Sequence, residues 1–531
     1  MGIPSYFSFI IKNYPNIVKT INSHKKNGLK FDSLYMDCNS IIYDVYNTLV
    51  KQNDISDLES NIILKVIEKI EYYIRKIEPS KVLYVSFDGV APLAKMEQQR
   101  TRRHKSLFFS NLNISGETKK VEWNTSAITP GTLFMNNLSK QIAFKFQNSE
   151  LKYGLKKIIT SGSDFPGEGE HKMFQHIREN LQPEDNVFVY GLDSDLIMLS
   201  LFHVNLCKNI YVFREAPEFS KSRLVKDTVS ASELMSMDIH ALSHSIINEM
   251  GCNSSDMHRL YDYILMCFFL GNDFLPHVPS LNIRTSGIHK LIEIYRKYIG
   301  SYPDRYIISK TSGKISWRYV KLLVSELAKI EHDMLLGEFN SREKMDGWKW
   351  EQTTADEKEK MLMSIPVIYR VDENYICPRE KYWEDRYYKS LFSVNATAEK
   401  KEKIAMNYLE GLEWVFKYYT ESCPDWRWRY KWNYPPLFVD LVKYIPEFET
   451  DFIRPSKNKA VRPEVQLAYV IPFNNHHLLS EKTRKILDSK YKHLYTEKYE
   501  FQWAFCRYLW EAHIILPEID ENVLETWEKT L

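Results

Sequence analysis

Four short apolar runs in the first half of the chain predict buried β-strands. They occupy residues 33–42, 81–92, 186–199 and 209–215, and each of the first three reaches an aspartate. Their apolar residues are nearly continuous rather than alternating, which is typical of strands that are covered on both faces. Stretches with helical spacing separate the runs. The pattern therefore predicts an α/β fold in which helices flank a mainly parallel, twisted sheet.

Two helices can be placed from the same pattern. Residues 54–77 carry Ile and Leu at helical spacing and follow an aspartate that can cap a helix. Residues 261–281 begin as an apolar helix that is expected to end near Gly271. Beyond about residue 300 the periodicity is weaker. We expect this later part to be mostly helical and to pack against the sheet.

Composition narrows the class of protein. With 531 residues, 44% of them hydrophobic, the chain can bury a sizeable core, and no run of about 18 apolar residues suggests a membrane span. The seven cysteines are scattered and form no CxxC pair, which argues against a zinc site or a disulfide framework. The first residues lack a signal-peptide pattern, so a cytoplasmic location is expected, with the nucleus left open. The many Asn, Lys, Ile and Tyr residues hint at an AT-rich genome, such as that of a protist or a large DNA virus.

Charge is almost balanced, so any nucleic-acid binding must come from a local patch. The chain has 71 basic and 69 acidic side chains, whereas residues 94–105 gather five cations with a single acid. On a helix, one face of this segment, the basic face, would carry Lys95, Gln99, Arg102 and Arg103. Such a face can be a solvated surface or a site for anionic oxygens, and the run by itself favours the solvated surface.

Carboxylates stand at the ends of the predicted strands and in glycine-rich turns. They are Asp37, Asp88, Glu168, Glu170, Asp193, Asp195 and Asp273. In an open α/β sheet the carboxyl ends of the strands share one edge, where ligands bind. A single aspartate there is explained at least as well as a helix cap. Seven acids, four of them in ExE and DxD pairs, indicate a converging cluster.

Clustered carboxylates repel one another unless protons or cations hold them together. With oxygen ligands and no cysteine, the ions indicated are Mg²⁺ or Mn²⁺. Two such ions can activate a water molecule and stabilise the leaving oxygen in phosphodiester hydrolysis. His171 and His176 are spaced i, i+5 rather than the i, i+4 of a helical zinc pair, so we interpret them as structural or surface residues.

Eight motifs follow one another between residues 1 and 440. They are MGIPSYF (1–7), LYMDCNSII (34–42), FDGVAPLAKMEQQRTRR (87–103), ITPGTLFM (128–135), SDFPGEGEHK (163–172), YGLDSDLIML (190–199), CFFLGNDFLPH (267–277) and DWRWRYKWNYPPL (425–437). In this order they resemble the Xrn-type 5′→3′ exoribonucleases, which belong to a wider group that includes the flap endonucleases. One motif alone could mislead, whereas the whole set is very specific.

The resemblance implies a role for each group of candidate residues. The seven acids match the metal-binding and catalytic acids of that family, for which two Mg²⁺ ions are implied, with Mn²⁺ as the alternative. The basic face matches the family's pocket for a 5′-monophosphate. Tyr43 matches a position that stacks on a nucleotide base, and a second stacking residue is implied at Trp426 or Trp428, with Trp428 preferred.

Three features depart from the family pattern. Tyr43 stands where the family usually has a histidine, and its ring can still stack on a base unless it is simply packed. Leu93 stands where an arginine is common, which removes one phosphate contact. Family members carry further C-terminal segments, whereas this sequence of 531 residues is expected to be the catalytic core alone.

We therefore predict a processive, metal-dependent 5′→3′ exoribonuclease that hydrolyses 5′-monophosphorylated single-stranded RNA to mononucleotides in RNA decay. The resemblance implies a flap-nuclease (PIN-like) core over residues 1–300, a helical connection over 301–400, and a segment over 401–531 that walls in the active site. A monomer with decapping factors as partners is expected. Two alternatives stay open: a structure-specific 5′ flap nuclease acting on DNA, and a degenerate relative that binds RNA without cleaving it. The presence of all seven acids argues against the degenerate relative.

Overall fold

A seven-stranded sheet forms the centre of the N-terminal half. The computed structural model describes residues 2–52, 57–112, 123–215, 233–346, 348–393, 395 and 397–531. The strands of this described part are β1 (Val18–Thr20), β2 (Ser33–Asp37), β3 (Val82–Ser86), β4 (Lys157–Ser161), β5 (Asn186–Tyr190), β6 (Asn209–Glu215), β7 (Leu234–Asp238), β8 (Glu500–Gln502) and β9 (His513–Ile515). The sheet has the order β1-β7-β6-β5-β2-β3-β4. Strands β6, β5, β2, β3 and β4 are parallel, whereas β7 is antiparallel to β6 and to β1.

The register brings the carboxyl ends of three strands together. Asp37, the last residue of β2, pairs with Ser86 at the end of β3. On the other side, Met36 pairs with Tyr190 at the end of β5. Segments that follow β2, β3 and β5 therefore leave the sheet side by side, at the edge where open α/β sheets bind their ligands.

The α/β prediction is confirmed, and the four apolar runs contain β2, β3, β5 and β6. Residues 33–42 and 186–199 extend beyond their strands into the helices that follow. Those helices begin in the same buried layer, so their apolar residues continue the run without a break. Strands β1, β4 and β7 had no such signal: β1 has only three residues, β4 begins with exposed Lys157 at the sheet edge, and Ser236 interrupts the apolar residues of β7.

Helices flank the sheet and dominate the rest of the chain. Those of the first half are α1 (Tyr6–Asn13), α2 (Ile21–Lys26), α3 (Asn39–Lys51), α4 (Leu58–Ile77), α5 (Leu93–Asn111), α6 (Leu133–Phe146), α7 (Glu150–Tyr153), α8 (Gly169–Asn180), α9 (Asp195–Phe202), α10 (Ile239–Glu249) and α11 (Arg259–Cys267). Those of the second half are α12 (Gly287–Tyr295), α13 (Trp317–Asp346), α14 (Ala355–Met363), α15 (Ile365–Ile368), α16 (Val371–Ile376), α17 (Trp383–Phe392), α18 (Ala398–Thr420), α19 (Phe438–Leu441), α20 (Pro463–Val470), α21 (Glu481–Ile486) and α22 (Glu521–Thr530).

Both predicted helices are present with shifted ends. Helix α4 starts at Leu58, with Asp57 as its N-cap residue, and the predicted residues 54–56 lie outside the described part of the chain. Helix α11 ends at Cys267 and continues as a 3₁₀ turn to Leu270. Gly271 then adopts φ +85°, a left-handed conformation that glycine tolerates best.

Two apolar layers cover the sheet, one on each face. Alternate residues of a strand point to opposite faces, so Leu34 and Met36 join the layer of α3, α4 and α6, whereas Tyr35 joins the layer of α8, α9, α10 and α11. Burial on both faces explains why the strand sequences are nearly continuous in apolar residues.

The second half packs directly on the sheet domain, as expected. Helix α18 belongs to the same apolar layer as α9 and α11. Helix α20 packs against α5, where Val465 and Leu467 share a buried cluster with Leu93 and Met96. None of the described helices is long and apolar enough to cross a membrane. The division at residues 300 and 400 stays a prediction.

Candidate active site

Three aspartates lie at the shared carboxyl edge of β2, β3 and β5. Asp37 is the last residue of β2, Asp88 follows β3 by two residues, and Asp193 follows β5 by three. The backbone N–H of Gly169 donates to Asp88 Oδ1 at 2.7 Å. The N–H of Asp88 in turn donates to Asn39 Oδ1 at 3.2 Å. These contacts hold the start of α8 and the loop after β3 against the end of β2.

The other four acids come from helix starts and one loop. Glu168 is the N-cap residue of α8, Glu170 lies in its first turn, and Asp195 is the first residue of α9. Asp273 follows the turn at Gly271. Carboxylates near helix N-termini are favoured by the helix dipole, so local preference supports three of these positions.

Lys95 contacts two of the acids directly. Its Nζ lies 2.5 Å from Glu168 Oε2 and 2.7 Å from Asp273 Oδ2. Burial would raise the pKa of the Asp273 carboxyl, but Lys95 holds that pKa well below its ordinary value. The Tyr418 hydroxyl donates to Glu168 Oε1 at 3.0 Å, and the Gly2 N–H donates to Asp273 Oδ1 at 3.2 Å. The N-terminal residues, α5 and α18 therefore meet at the acidic cluster.

Burial and mutual repulsion raise the pKa values of other acids in the cluster. Burial, with repulsion from Asp88, raises the pKa of Asp37 to about 8. Burial also raises the pKa of Glu170 and of Asp195 well above the ordinary value, and neighbouring carboxylates add to both shifts. Such carboxylates are costly to ionise together, and a divalent cation would remove that cost.

The donor set fits hard divalent cations. Carboxylate oxygens dominate it, which are ligands that Mg²⁺ and Mn²⁺ prefer. Asp195 Oδ1 is buried and has no hydrogen-bond partner in the described part of the chain, so a cation would supply an interaction that this oxygen lacks. His171 lies beside the acids: single ligand atoms of Glu168, Glu170 and His171 lie within 4.8 Å of one another. The His171 ring also stacks on Tyr418, with 3.7 Å between ring centroids.

The basic face and most of the acids line one cavity of about 480 Å³, here called the acidic cavity. From α5 it is lined by Lys95, Gln99, Arg102 and Arg103, and from the cluster by Asp37, Asp88, Glu168, Glu170 and Asp193. Asp273 is joined to this cavity through Lys95. The N–H of Asp195 donates to Asp193 Oδ1 at 3.4 Å. The structure thus brings all seven acids and the four residues of the basic face together.

The four residues of the basic face differ in how open they are to a ligand. Arg103 is buried and donates to the Ile128 carbonyl at 2.9 Å. Gln99 is buried too, and its Oε1 accepts from Gln466 at 3.4 Å. Arg102 alone among the four is exposed. Its guanidinium is therefore the best placed of the four to donate to a phosphate.

The three predicted stacking residues have different surroundings. Tyr43 lines the acidic cavity. Trp428 is only 7% exposed, and its ring stacks on Trp414 with 5.2 Å between centroids. The Trp426 carbonyl accepts from the Leu93 N–H at 3.0 Å. Neither Trp426 nor Trp428 lines the acidic cavity in the described part of the chain, so their stacking role stays a prediction without geometric support.

Sequence reasoning did not single out three residues that shape the site. Tyr418 binds Glu168 from 250 positions away in the chain, and Asn39 binds the backbone of Asp88. Arg214 lines the acidic cavity and lies 4.8 Å above the Phe7 ring. Asn39 and Arg214 could have been found, because each stands near the end of a predicted strand. Tyr418 lies within a helix and carries no such signal.

Two sequence profiles of one family match most of the chain. The profile described as XRN 5′-3′ exonuclease N-terminus matches residues 1–216, and that described as Xrn1 helical domain matches residues 255–375 and 372–531. The chain is 27% identical to the 5′-3′ exoribonuclease 2 homolog of Drosophila melanogaster, over 99% of this chain and 70% of that protein. It is 26% identical to 5′-3′ exoribonuclease 2 of Gallus gallus, over 99% and 69%. For 5′-3′ exoribonuclease 1 of Schizosaccharomyces pombe the identity is 27%, over 99% and 48%.

Proposed function

This chain belongs to the XRN 5′-3′ exonuclease family, and we propose that it is a processive 5′→3′ exoribonuclease. Its substrate would be single-stranded RNA with a 5′-monophosphate, and its products mononucleotides. RNA rather than DNA is proposed because the relatives that align with the whole chain are named exoribonucleases. A structure-specific flap nuclease acting on DNA is not favoured by these names.

The observation that carries the proposal is that one cavity holds both the acids and the basic face. Its volume of about 480 Å³ lies in the range of small-ligand sites. A terminal phosphate bound by Arg102 would direct the adjoining phosphodiester linkage toward the carboxylates. Each cleavage leaves a new 5′-phosphate, which the same guanidinium can bind next. The strand would therefore be degraded from its 5′ end without a change of site.

Two Mg²⁺ ions are the proposed cofactors, and the seven acids would hold them. When bound, they supply an activated water molecule and stabilise the leaving oxygen. The protein's own groups position the acids: Lys95 donates to Glu168 and Asp273 and so offsets part of the cluster's negative charge. Tyr418 fixes the second oxygen of Glu168 through its hydroxyl.

The cellular context follows from the substrate. RNA with a 5′-monophosphate arises when a cap or a triphosphate is removed, so we propose decapping factors as functional partners. A monomer is proposed, because the described residues of one chain already bring the acids and the basic face together in the acidic cavity. A cytoplasmic place of action is proposed from the seven cysteines, all free thiols, which fit a reducing compartment.

The proposal is tested with a time course on end-labelled RNAs that carry a monophosphate, a triphosphate, a cap or a hydroxyl at the 5′ end. We expect decay of the monophosphate RNA alone, in the presence of Mg²⁺, with mononucleotide products and no accumulation of intermediates. The double variant Asp193→Ala/Asp195→Ala is the inactive control. Equal decay of all four ends, or faster cleavage of a branched DNA flap, would contradict the proposal.

A further inference from the structure

Helix α3 forms a wall of the acidic cavity in addition to the basic face. Asn39, Ser40 and Tyr43, from the first two turns of α3, line this cavity. Residues one helical turn apart lie on the same side of a helix, so Ser40 and Tyr43 present their hydroxyl groups to one space. Asn39 Oδ1 accepts from the Asp88 N–H, which holds this end of α3 beside the acids. A ligand in the cavity therefore meets two hydroxyl groups as well as the cations of α5.

The Ser40 hydroxyl lacks a partner within the protein. Its Oγ is buried and has no hydrogen-bond partner among the residues that the structure describes. Leaving a buried hydroxyl unpaired costs free energy, so native structures rarely do so without a further group that binds it. Since Ser40 lines the acidic cavity, the group that its hydroxyl is placed to bind is a ligand in that cavity.

Tyr43 lies beside Arg103 of the basic face, and both residues line the acidic cavity. Burial lowers the pKa of the Arg103 guanidinium to about 10, and a hydrogen bond with the Tyr43 side chain opposes this shift. A guanidinium has donors only, so the Tyr43 oxygen accepts in this contact and its own O–H remains free to donate. The proton of the Tyr43 hydroxyl is therefore available to an anionic oxygen in the cavity.

The basic face by itself offers few open donors to a phosphate. Gln99 and Arg103 are buried and hydrogen-bonded within the protein. Lys95 is held by two acids of the cluster. Arg102 is the exposed cation of this face, whereas a terminal phosphate has three strong acceptor oxygens. Hydroxyl donors from α3 would bind phosphate oxygens that Arg102 leaves unbound.

We propose that the hydroxyl groups of Ser40 and Tyr43 bind the 5′-terminal phosphate together with Arg102. The inference rests on the proposed exoribonuclease function. It gives Tyr43 a polar role toward the phosphate, in addition to the base stacking that the family resemblance implies for its ring. Neutral donors suit this position, because further cations there would repel the divalent ions that the neighbouring acids are proposed to hold.

The test is equilibrium binding in EDTA, measured by fluorescence anisotropy, so that no cleavage occurs. The probes are two RNAs of one sequence, with a phosphate or a hydroxyl at the 5′ end, and the measured quantity is the ratio of their affinities. Tyr43→Phe keeps the aromatic ring and removes only the hydroxyl. It should lower this ratio about 10- to 100-fold, the value of one charge-assisted hydrogen bond. Ser40→Ala should lower the ratio by a similar factor.

Two comparisons separate a lost phosphate contact from a disturbed fold. In both variants, the affinity for the 5′-hydroxyl RNA should stay within about twofold of the native value, because that RNA has no terminal phosphate to lose. Tyr46→Phe is the matched control. Tyr46 lies further along α3, outside the acidic cavity, where its ring contacts Trp123 with 5.1 Å between centroids. This control variant should keep the native ratio of affinities.

The outcomes separate this inference from the proposed function. A native chain that leaves 5′-phosphorylated RNA intact with Mg²⁺ would refute the function. An active chain in which Tyr43→Phe or Ser40→Ala keeps the native ratio would overturn the inference, because that hydroxyl then does not bind the phosphate. Equal weakening of both RNAs would also overturn it, since the change would then act on the base, the sugar or the fold. A loss confined to the 5′-phosphorylated RNA supports the inference.

Discussion

Gly89 is the point where the loop after β3 touches the loop before α8. Its N–H donates to the Gly167 carbonyl at 2.9 Å, and a Cβ at this position would lie 1.7 Å from the Phe165 carbonyl oxygen. Real Cβ atoms essentially never approach within 3.0 Å, so Gly89→Ala must separate the loops by about 1.3 Å, the difference between 3.0 and 1.7 Å. The obstacle is backbone, and no change of side-chain rotamer can remove it.

Moving the two loops apart should displace the proposed metal ligands that they carry. Asp88 directly precedes Gly89, and Glu168 lies three residues after Phe165. A displacement of about 1 Å in a catalytic constellation costs on the order of 10²-fold in rate. We therefore expect kcat/KM for 5′-phosphorylated RNA to fall about 100-fold. Overpacking should also lower the free energy of unfolding by about 1–3 kcal/mol.

The assay is initial rates on a 5′-phosphorylated RNA, at a temperature well below the unfolding transition of the variant. Gly337→Ala is the matched control, because Gly337 is exposed in α13 and its Cβ would meet nothing within 4 Å. That variant should keep native rates and gain about 0.4–1 kcal/mol of stability. A folded Gly89→Ala protein with rates within about threefold of native would refute the reasoning, because the distance between the two loops would then not determine the site.

Three other changes test separate parts of the structure. Arg102→Ala should reduce the preference for 5′-phosphate over 5′-hydroxyl RNA about 10- to 100-fold, the value of a charge-assisted hydrogen bond. The preference is measured in competition decay assays. If the variant discriminates between the two RNAs as well as the native chain does, Arg102 is not part of the phosphate site. Trp428→Ala should lower the free energy of unfolding, measured in urea, by about 3–5 kcal/mol, because its ring is a buried packing residue. An unchanged unfolding midpoint would argue that the ring does not stabilise the core. Burial raises the pKa of Glu331 to about 8, so its contribution to stability is complete below its ordinary pKa of 4.5 and is lost as the pH rises toward about 8. Glu331→Gln should remove this fall in the free energy of unfolding between pH 4.5 and about 8. If the native protein and the variant lose stability in parallel over this range, Glu331 does not cause the pH dependence.

Local pattern determined the parts of this protein that depend on residues near one another in the chain. The apolar runs that reach Asp37, Asp88 and Asp193 indicated buried strands with acids at their ends, because a strand covered on both faces needs continuous apolar side chains. The spacing of Lys95 and Arg102 on one helix face is likewise a local property, set by the helical period. The shared edge of parallel strands then predicted that the acids would meet.

Tertiary structure alone decided how these parts act on one another. That Lys95 lies between Glu168 and Asp273, and that Tyr418 binds Glu168, depends on the packing of α5 and α18 against the sheet. The same packing buries Trp428 against Trp414. The period of a helix or strand shows which face a side chain occupies, but not which distant element covers that face. Which element covers a given face depends on the shape and apolar area of the whole core, to which every part of the chain contributes.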